Sequence, residues 1–244
     1  MTTVLLIRHG RSSANTAGIL AGRTPGVQLD ERGRAQAGAL AARLAGVRLD
    51  AVVASPLERT RQTAEHLLAG RPDTLFEFDE RFTECDYGTW SGRTLKSLAQ
   101  EPLWRTVQAH PAAAAFPDGE SLAALSARAV AGVRGWNAKL GEQATYAVVS
   151  HGDVIKAIAA DALGMHLDLF QRIQIDPCSL TVVRYHGTRP AVLRLNDLGG
   201  EVAGLEQPVA HEQAKAGARD AAEGSGPQDA PDASDAPVGG GAGA

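Results

Sequence analysis

Val4-Leu5-Leu6-Ile7-Arg8-His9-Gly10 opens with four apolar residues and closes on an arginine, a histidine and a glycine. A short apolar run bounded this way reads as a strand buried on both faces that opens into a loop at His9. Ala147-Val148-Val149-Ser150-His151-Gly152 repeats the pattern far downstream. Further runs lie at residues 51–54 and 180–183, with a weaker one at 191–195. Helical segments separate the early runs. Asp30 reads as an N-cap ahead of Ala35, Ala39, Leu40 and Leu44, which recur at helical steps. Residues 57–68, opened by Pro56, and residues 121–140, starting at Ser121, read as two more helices, and a fourth follows His151 through Ile155, Ile158 and Ala162 to Gly164. Strands alternating with helices predict an α/β fold: a three-layer α/β/α sandwich around a mostly parallel central sheet.

The boundaries follow from composition. Residues 1–200 form one expected domain, and residues 201–244 an acidic, low-complexity tail without aromatic residues, expected to be disordered. That tail carries eight acidic and two basic groups, so the net charge of -4 conceals a nearly neutral folded part. A broad nucleic-acid surface is not expected. Cys85 and Cys178 sit at no metal-ligand spacing and read as reduced thiols. The run at residues 4–7 is too short to span a bilayer, so no membrane association is expected, and the cytoplasm is the expected compartment.

Ligands of open α/β sheets bind outside the carboxyl ends of the strands, where His9 and His151 both fall. Each histidine alone could be a satisfied core residue. Together with fixed positive charge they suit an anion such as phosphate. Arg8 supplies one charge, and Arg59 or Arg61, just past the strand at residues 51–54, another. Arg59, nearer the strand mouth, is preferred; the alternative is that both pair with Glu58 and Glu65 on a solvated face. Gly10 permits close backbone approach or positive φ. Ser12 and Asn15 can add neutral hydrogen bonds, and a helix starting at Gly152 would turn unpaired N–H groups towards the anion. Neighbouring guanidinium groups would keep such a histidine neutral.

Arg8-His9-Gly10 with Asn15, Ser55 through Ala64, Glu84 through Gly92 and Ser150-His151-Gly152 stand in the order and spacing of the histidine phosphatase superfamily, the phosphoglycerate-mutase-like clan, which the chain resembles over residues 1–197. The resemblance implies that His9 is the nucleophile and is transiently phosphorylated. It implies that Arg8, Arg59 and His151 hold the phosphoryl oxygens with help from Asn15, and that Glu84 is the general acid, with Glu80 and Asp86 as rivals. The segment Gly119-Glu120-Ser121 also matches, with helix capping as its expected role. Arg11 and Ser12 depart from the family pattern. Arg11 could touch phosphate, select an acidic substrate or point to water.

The expected activity is hydrolysis of a small phosphorylated metabolite, with no metal or other cofactor. A phosphomutase using the same residues is the alternative, and a non-catalytic phosphate sensor a more distant one. The tail lacks apolar anchors to close a mutase pocket, which favours hydrolysis. Trp104 and Phe116 could line a specificity pocket or pack in the core. The ester and the oligomeric state are not legible.

Overall fold

Every apolar run named above becomes a strand. The structure is a computed structural model that describes residues 1–187 and 189–200. The proposed disordered tail lies outside the described residues. In chain order the elements are β1 (Thr2–Arg8), α1 (Ser13–Thr16), α2 (Glu31–Arg43), β2 (Ala51–Ala54), α3 (Glu58–Leu68), β3 (Leu75–Phe78), α4 (Leu95–Leu98), α5 (Pro102–Ala109), α6 (Leu122–Leu140), β4 (Thr145–Ser150), α7 (Gly152–Ala162), β5 (Leu180–Tyr185) and β6 (Pro190–Asp197).

The six strands form one sheet in the order β3-β2-β4-β1-β5-β6. β3, β2, β4 and β1 run parallel, while β5 pairs antiparallel with β1 and β6 antiparallel with β5. In the β1–β4 register Arg8 lies opposite Ser150, so both strands end together and His9 and His151 follow at the same edge.

Alternate residues of each strand feed opposite layers, as the two-residue period requires. Val4, Leu6, Val53 and Val148 pack with Leu125, Val133 and Ile158 of α6 and α7; Leu5, Ile7, Val52 and Val149 pack with Leu40 of α2 and Leu67 of α3. That makes three layers, with helices on both faces. Complete burial of a side chain such as Ile7 contributes roughly 1.5–3 kcal/mol.

Helix starts follow the local signals. Asp30 accepts from Gly33 N–H at 2.7 Å, and Ser121 accepts from Ala124 N–H at 3.1 Å. Gly164 takes a positive φ of 66° just past α7. Trp104 and Phe116 belong to the core, both packed against Trp90. Among the described residues, no helix is long and apolar enough to cross a membrane.

Candidate active site

The carboxyl ends of β1, β2 and β4 converge on one buried spot. His9 and His151 meet there with ring centroids 5.3 Å apart, in an edge-to-face arrangement at 61°. Arg8, Arg59, Glu84 and both histidines are all at most 3% exposed. Such burial of five polar side chains is costly unless they serve one another or a ligand.

His9 is fixed from several sides. Its backbone N–H donates to Ser150 O at 2.9 Å, and Cys178 N–H donates to Arg8 O at 3.1 Å and to His9 O at 3.3 Å. Ring Nδ1 lies 2.7 Å from Gly10 O. A carbonyl only accepts, so Nδ1 carries the proton and Nε2 the lone pair. That lone pair accepts from Arg59 Nε at 3.2 Å. Burial, then Arg59, then Arg8, hold the His9 imidazole well below its ordinary pKa, with the bond to Gly10 opposing them. The ring is therefore neutral at pH 7.

Gly10 meets its requirement by close approach. A Cβ there would stand 2.5 Å from Gly33 O in the first turn of α2, and a Cβ on Gly33 would press into the backbone of Arg11. Thr63 of α3, inside the recognised segment at residues 55–64 but given no role of its own there, accepts from Gly10 N–H at 3.1 Å.

Arg59 and Arg61 divide as helical phase requires. Arg59 shares the buried face of α3 with Thr63 and donates Nη2 to Gly22 O at 2.8 Å. Its Nη1 is buried with no hydrogen-bond partner among the described residues. Arg61 is half-exposed beside Glu65, at 3.8 Å, and takes no part in the site. Arg8 Nη1 donates to Ile175 O at 2.7 Å.

His151 is the N-cap of α7 and makes no side-chain cap bond. Its Nε2 lies 2.8 Å from Ser55 Oγ. Its Nδ1 is buried without a hydrogen-bond partner among the described residues, 4.0 Å from Glu84 Oε2. Burial, then the charge of Arg59, holds this ring also below its usual pKa. Gly152 opens α7 beside it, in the helix-start position expected of an anion site.

Glu84 reaches the site from the irregular segment before Tyr87, and its Oε1 accepts from Cys85 N–H at 2.9 Å. Burial, then the negative charge of Asp153, pushes its pKa up to about 7, against Arg59, the Cys85 N–H and Arg8. Such a carboxyl can carry a proton near neutral pH. Of its rivals, Glu80 accepts from Thr83 Oγ1 at 3.0 Å, and Asp86 accepts from Gly88 N–H at 3.1 Å.

Four residues have partners that the sequence did not indicate. Arg11 donates Nε to Asp30 Oδ2 at 2.7 Å, so it is held by the α2 N-cap and neither points to water nor leads the site. Ser12 and Asn15 form a reciprocal capping box around α1, with Ser12 Oγ donating to Asn15 Oδ1 at 2.9 Å. Glu120 does not cap α6. Its Oε1 accepts from Asp86 N–H at 2.9 Å and from the Arg23 and Arg128 guanidinium groups, both of which also donate to Glu84 O. Arg23 lies in the loop at residues 18–28. That loop is tied to the segment after Trp90 by Leu20 N–H to Arg93 O at 2.9 Å and Gly92 N–H to Leu20 O at 2.8 Å.

Among the described residues, no group of three or more His, Cys, Asp or Glu side chains could hold a metal ion.

The comparisons agree with this geometry. The model of the histidine phosphatase superfamily (branch 1) matches residues 4–198. Phosphoserine phosphatase 1 of Hydrogenobacter thermophilus is 31% identical over 204 residues, covering 80% of this chain and 92% of the relative. A probable phosphoglycerate mutase GpmB of Enterobacter sp. is 29% identical over 216 residues, covering 87% and 99%. The solved structure of Bacillus stearothermophilus YhfR superimposes with a TM-score of 0.75 at 30% identity, covering 81% of this chain and 98% of that one. With two histidines and two arginines gathered at one sheet edge and the family model matched from β1 to the end of β6, the chain belongs to the histidine phosphatase superfamily, enzymes that act on small phosphorylated metabolites.

Proposed function

We propose that this enzyme is a metal-independent phosphomonoesterase that passes the phosphoryl group through His9. The observation that carries the reading is the neutral His9 ring whose Nε2 lone pair faces Arg59 at 3.2 Å, inside a cluster that also holds a buried, protonatable Glu84.

In the first step, Nε2 of His9 attacks phosphorus and the ester P–O bond breaks. Glu84 gives its proton to the departing oxygen. Arg8, Arg59 and His151 hold the three phosphoryl oxygens, with Asn15 beside them and the first N–H groups of α7 from Gly152 onward facing the charge. In the second step water attacks phosphorus, its proton passes to Glu84, and the P–N bond breaks to release inorganic phosphate. Fixed cations supply the charge stabilisation, so no metal or other cofactor enters. Ser12 and Arg11 support the loop that presents His9.

The relative named as a probable phosphoglycerate mutase favours a second reading, in which the phosphoryl group returns to the same carbon skeleton at another oxygen. The relative named as a phosphoserine phosphatase favours hydrolysis of a small, charged metabolite ester. The near-neutral charge of residues 1–200 gives no support to a broad nucleic-acid surface, and the cytoplasm is the proposed compartment.

The test is a brief incubation with a labelled phosphate ester, stopped in alkaline denaturant, which preserves phosphohistidine. Label on His9 that decays to inorganic phosphate is the expected result. Wild-type protein without label, with His9→Ala turning over equally fast, would overturn the reading. Isomerised ester in place of free phosphate would assign the mutase.

A further inference from the structure

Beneath the proposed acid lies a second set of buried charges that the chemistry above leaves unused. Asp153, in the first turn of α7, is 0% exposed, and Lys156, one turn on, is 1% exposed. The Lys156 ammonium stands 3.6 Å from Asp153 Oδ1 and donates to Gln171 Oε1 at 2.9 Å. The Tyr87 hydroxyl donates to Asp153 Oδ2 at 2.7 Å. Only Cys85 and Asp86 separate Tyr87 from Glu84, so this bond fastens the acid-bearing segment to the helix that His151 caps.

A buried ion pair is weak evidence for stability, because well-packed apolar residues of similar volume often serve as well. The neighbouring buried positions of α7 are Val154, Ile155, Ala157 and Ile158, so its packing is otherwise apolar. The location of the pair gives it another use.

We infer that Asp153 is a positioning residue for Glu84, holding the acid-bearing segment to α7 through Tyr87 and setting a buried carboxylate against that segment, with the Lys156 ammonium 3.6 Å away as its counter-charge. The inference rests on the acid role proposed for Glu84. After burial itself, Asp153 is the largest influence raising Glu84. The cations facing the carboxyl, Arg59 from α3 and Arg8 from β1, act the other way. His9 and His151 are neutral, and the Arg23 and Arg128 groups behind the Glu84 carbonyl are both paired with Glu120. Cys85 and Tyr87, on the acid's own segment, are held in their uncharged forms by burial. Without Asp153 the balance around Glu84 is cationic and the acid would give up its proton early.

The experiment measures kcat/KM against pH with an alkyl phosphate for wild type, Asp153→Asn, Lys156→Met and the double variant. Asparagine keeps the size and an acceptor for Tyr87 but removes the charge, so the alkaline limb should move down by roughly one pH unit. In Lys156→Met the Asp153 carboxylate keeps its Tyr87 donor and the nearby Arg8 charge and loses only the opposing ammonium, so the limb should move up, and the double variant should return it towards wild type. A pair with a purely structural role would lower kcat and leave the limb where it was; that result, or shifts of the same sign in both single variants, overturns the inference. Should Asp153→Asn fail to fold, Lys156→Met decides, an upward shift supporting the inference and an unmoved limb ending it. Trapping phosphohistidine in the same preparations separates the two levels. Label on His9 with an unmoved limb removes only the role of Asp153, whereas wild-type protein without label removes the hydrolase reading and this inference with it.

Discussion

Arg59 Nε lies 3.2 Å from His9 Nε2, so the lone pair proposed to attack phosphorus already points at the guanidinium that would hold the phosphoryl group. The same ring is locked by its Nδ1 contact with Gly10 O, which leaves one nitrogen free to react. The proposed nucleophile and the proposed clamp thus occupy one line. In the proposed reaction an incoming phosphoryl oxygen would replace the imidazole as the arginine's partner while phosphorus would come within reach of that imidazole.

Arg59→Ala and Arg61→Ala should therefore separate sharply, although the residues are two apart. Loss of a preorganised charge at the reacting group should cost about 10²–10³ in kcat. The half-exposed Arg61–Glu65 pair is worth about 0–1 kcal/mol, so its removal should leave kcat/KM unchanged and stability nearly so. Steady-state kinetics and urea unfolding of both variants check this.

Glu84, the proposed acid, is pushed up to about 7 by burial and Asp153 and should set the pH response. With a poor leaving group, kcat/KM should fall above pH 7 as the acid ionises, and Glu84→Gln should remove that limb and slow the reaction by about 10²–10⁴. Nitrophenyl phosphate, whose leaving group needs little protonation, should lose much less. Equal losses on the two substrates would place the acid elsewhere.

Stability should also carry the signature of the buried rings. The native pKa values of His9 and His151 are depressed, so between pH 6.5 and 5 the unfolded chain takes up protons that the native chain refuses, and stability falls as pH falls. Glu84 acts in the opposite sense: its raised pKa gives stability below the unfolded value that is lost as pH rises through about 7. Glu84→Gln removes this opposing contribution. The slope of unfolding free energy against pH should steepen by up to about 1.4 kcal/mol per pH unit in that window, measured by urea unfolding at several pH values.

Gly33→Ala tests the support of the nucleophile loop. Its new Cβ would press on the Arg11 backbone, costing about 1–3 kcal/mol, and the displaced loop should lower phosphohistidine formation as well. Thermal unfolding and trapping in one preparation should show both effects together.

Exposure to EDTA should leave turnover unchanged, since fixed guanidinium groups take the place of a divalent ion. Abolished activity that is restored by one added divalent metal would refute the charge assignment.

Much of the fold was readable in the chain because the central strands are buried on both faces and so appear as unbroken apolar runs. β3 was not, since Leu75–Phe78 is a short edge strand whose four residues are partly or fully exposed and lack a clean alternation. Asp30 and Ser121 were recognisable as caps because each is a short polar residue standing directly before a helical apolar period. Glu120 was misjudged as a capping residue because its partners, Arg23 and Arg128, approach from opposite directions in sequence. Ser55 lay inside a recognised motif, yet its contact with His151 spans 96 positions and leaves no local trace. Asp153 and Lys156 were invisible for a different reason: charged residues one helical turn apart read as a solvated pair, and only tertiary packing reveals that they are enclosed.

β1 occupies the interior of the sheet, between β4 and β5. β1 therefore has no sheet neighbour until the chain has been made through Ser150, and lacks its second until Tyr185. His9 acquires its contact with Ser150, and then the Cys178 tether, only in that order. The surroundings of His9 cannot be completed before Cys178 has been made, and folding of the whole should be slow, as long-range strand pairing requires. Until that point the apolar run at residues 4–7 stands unpaired, an edge open to wrong strand pairings.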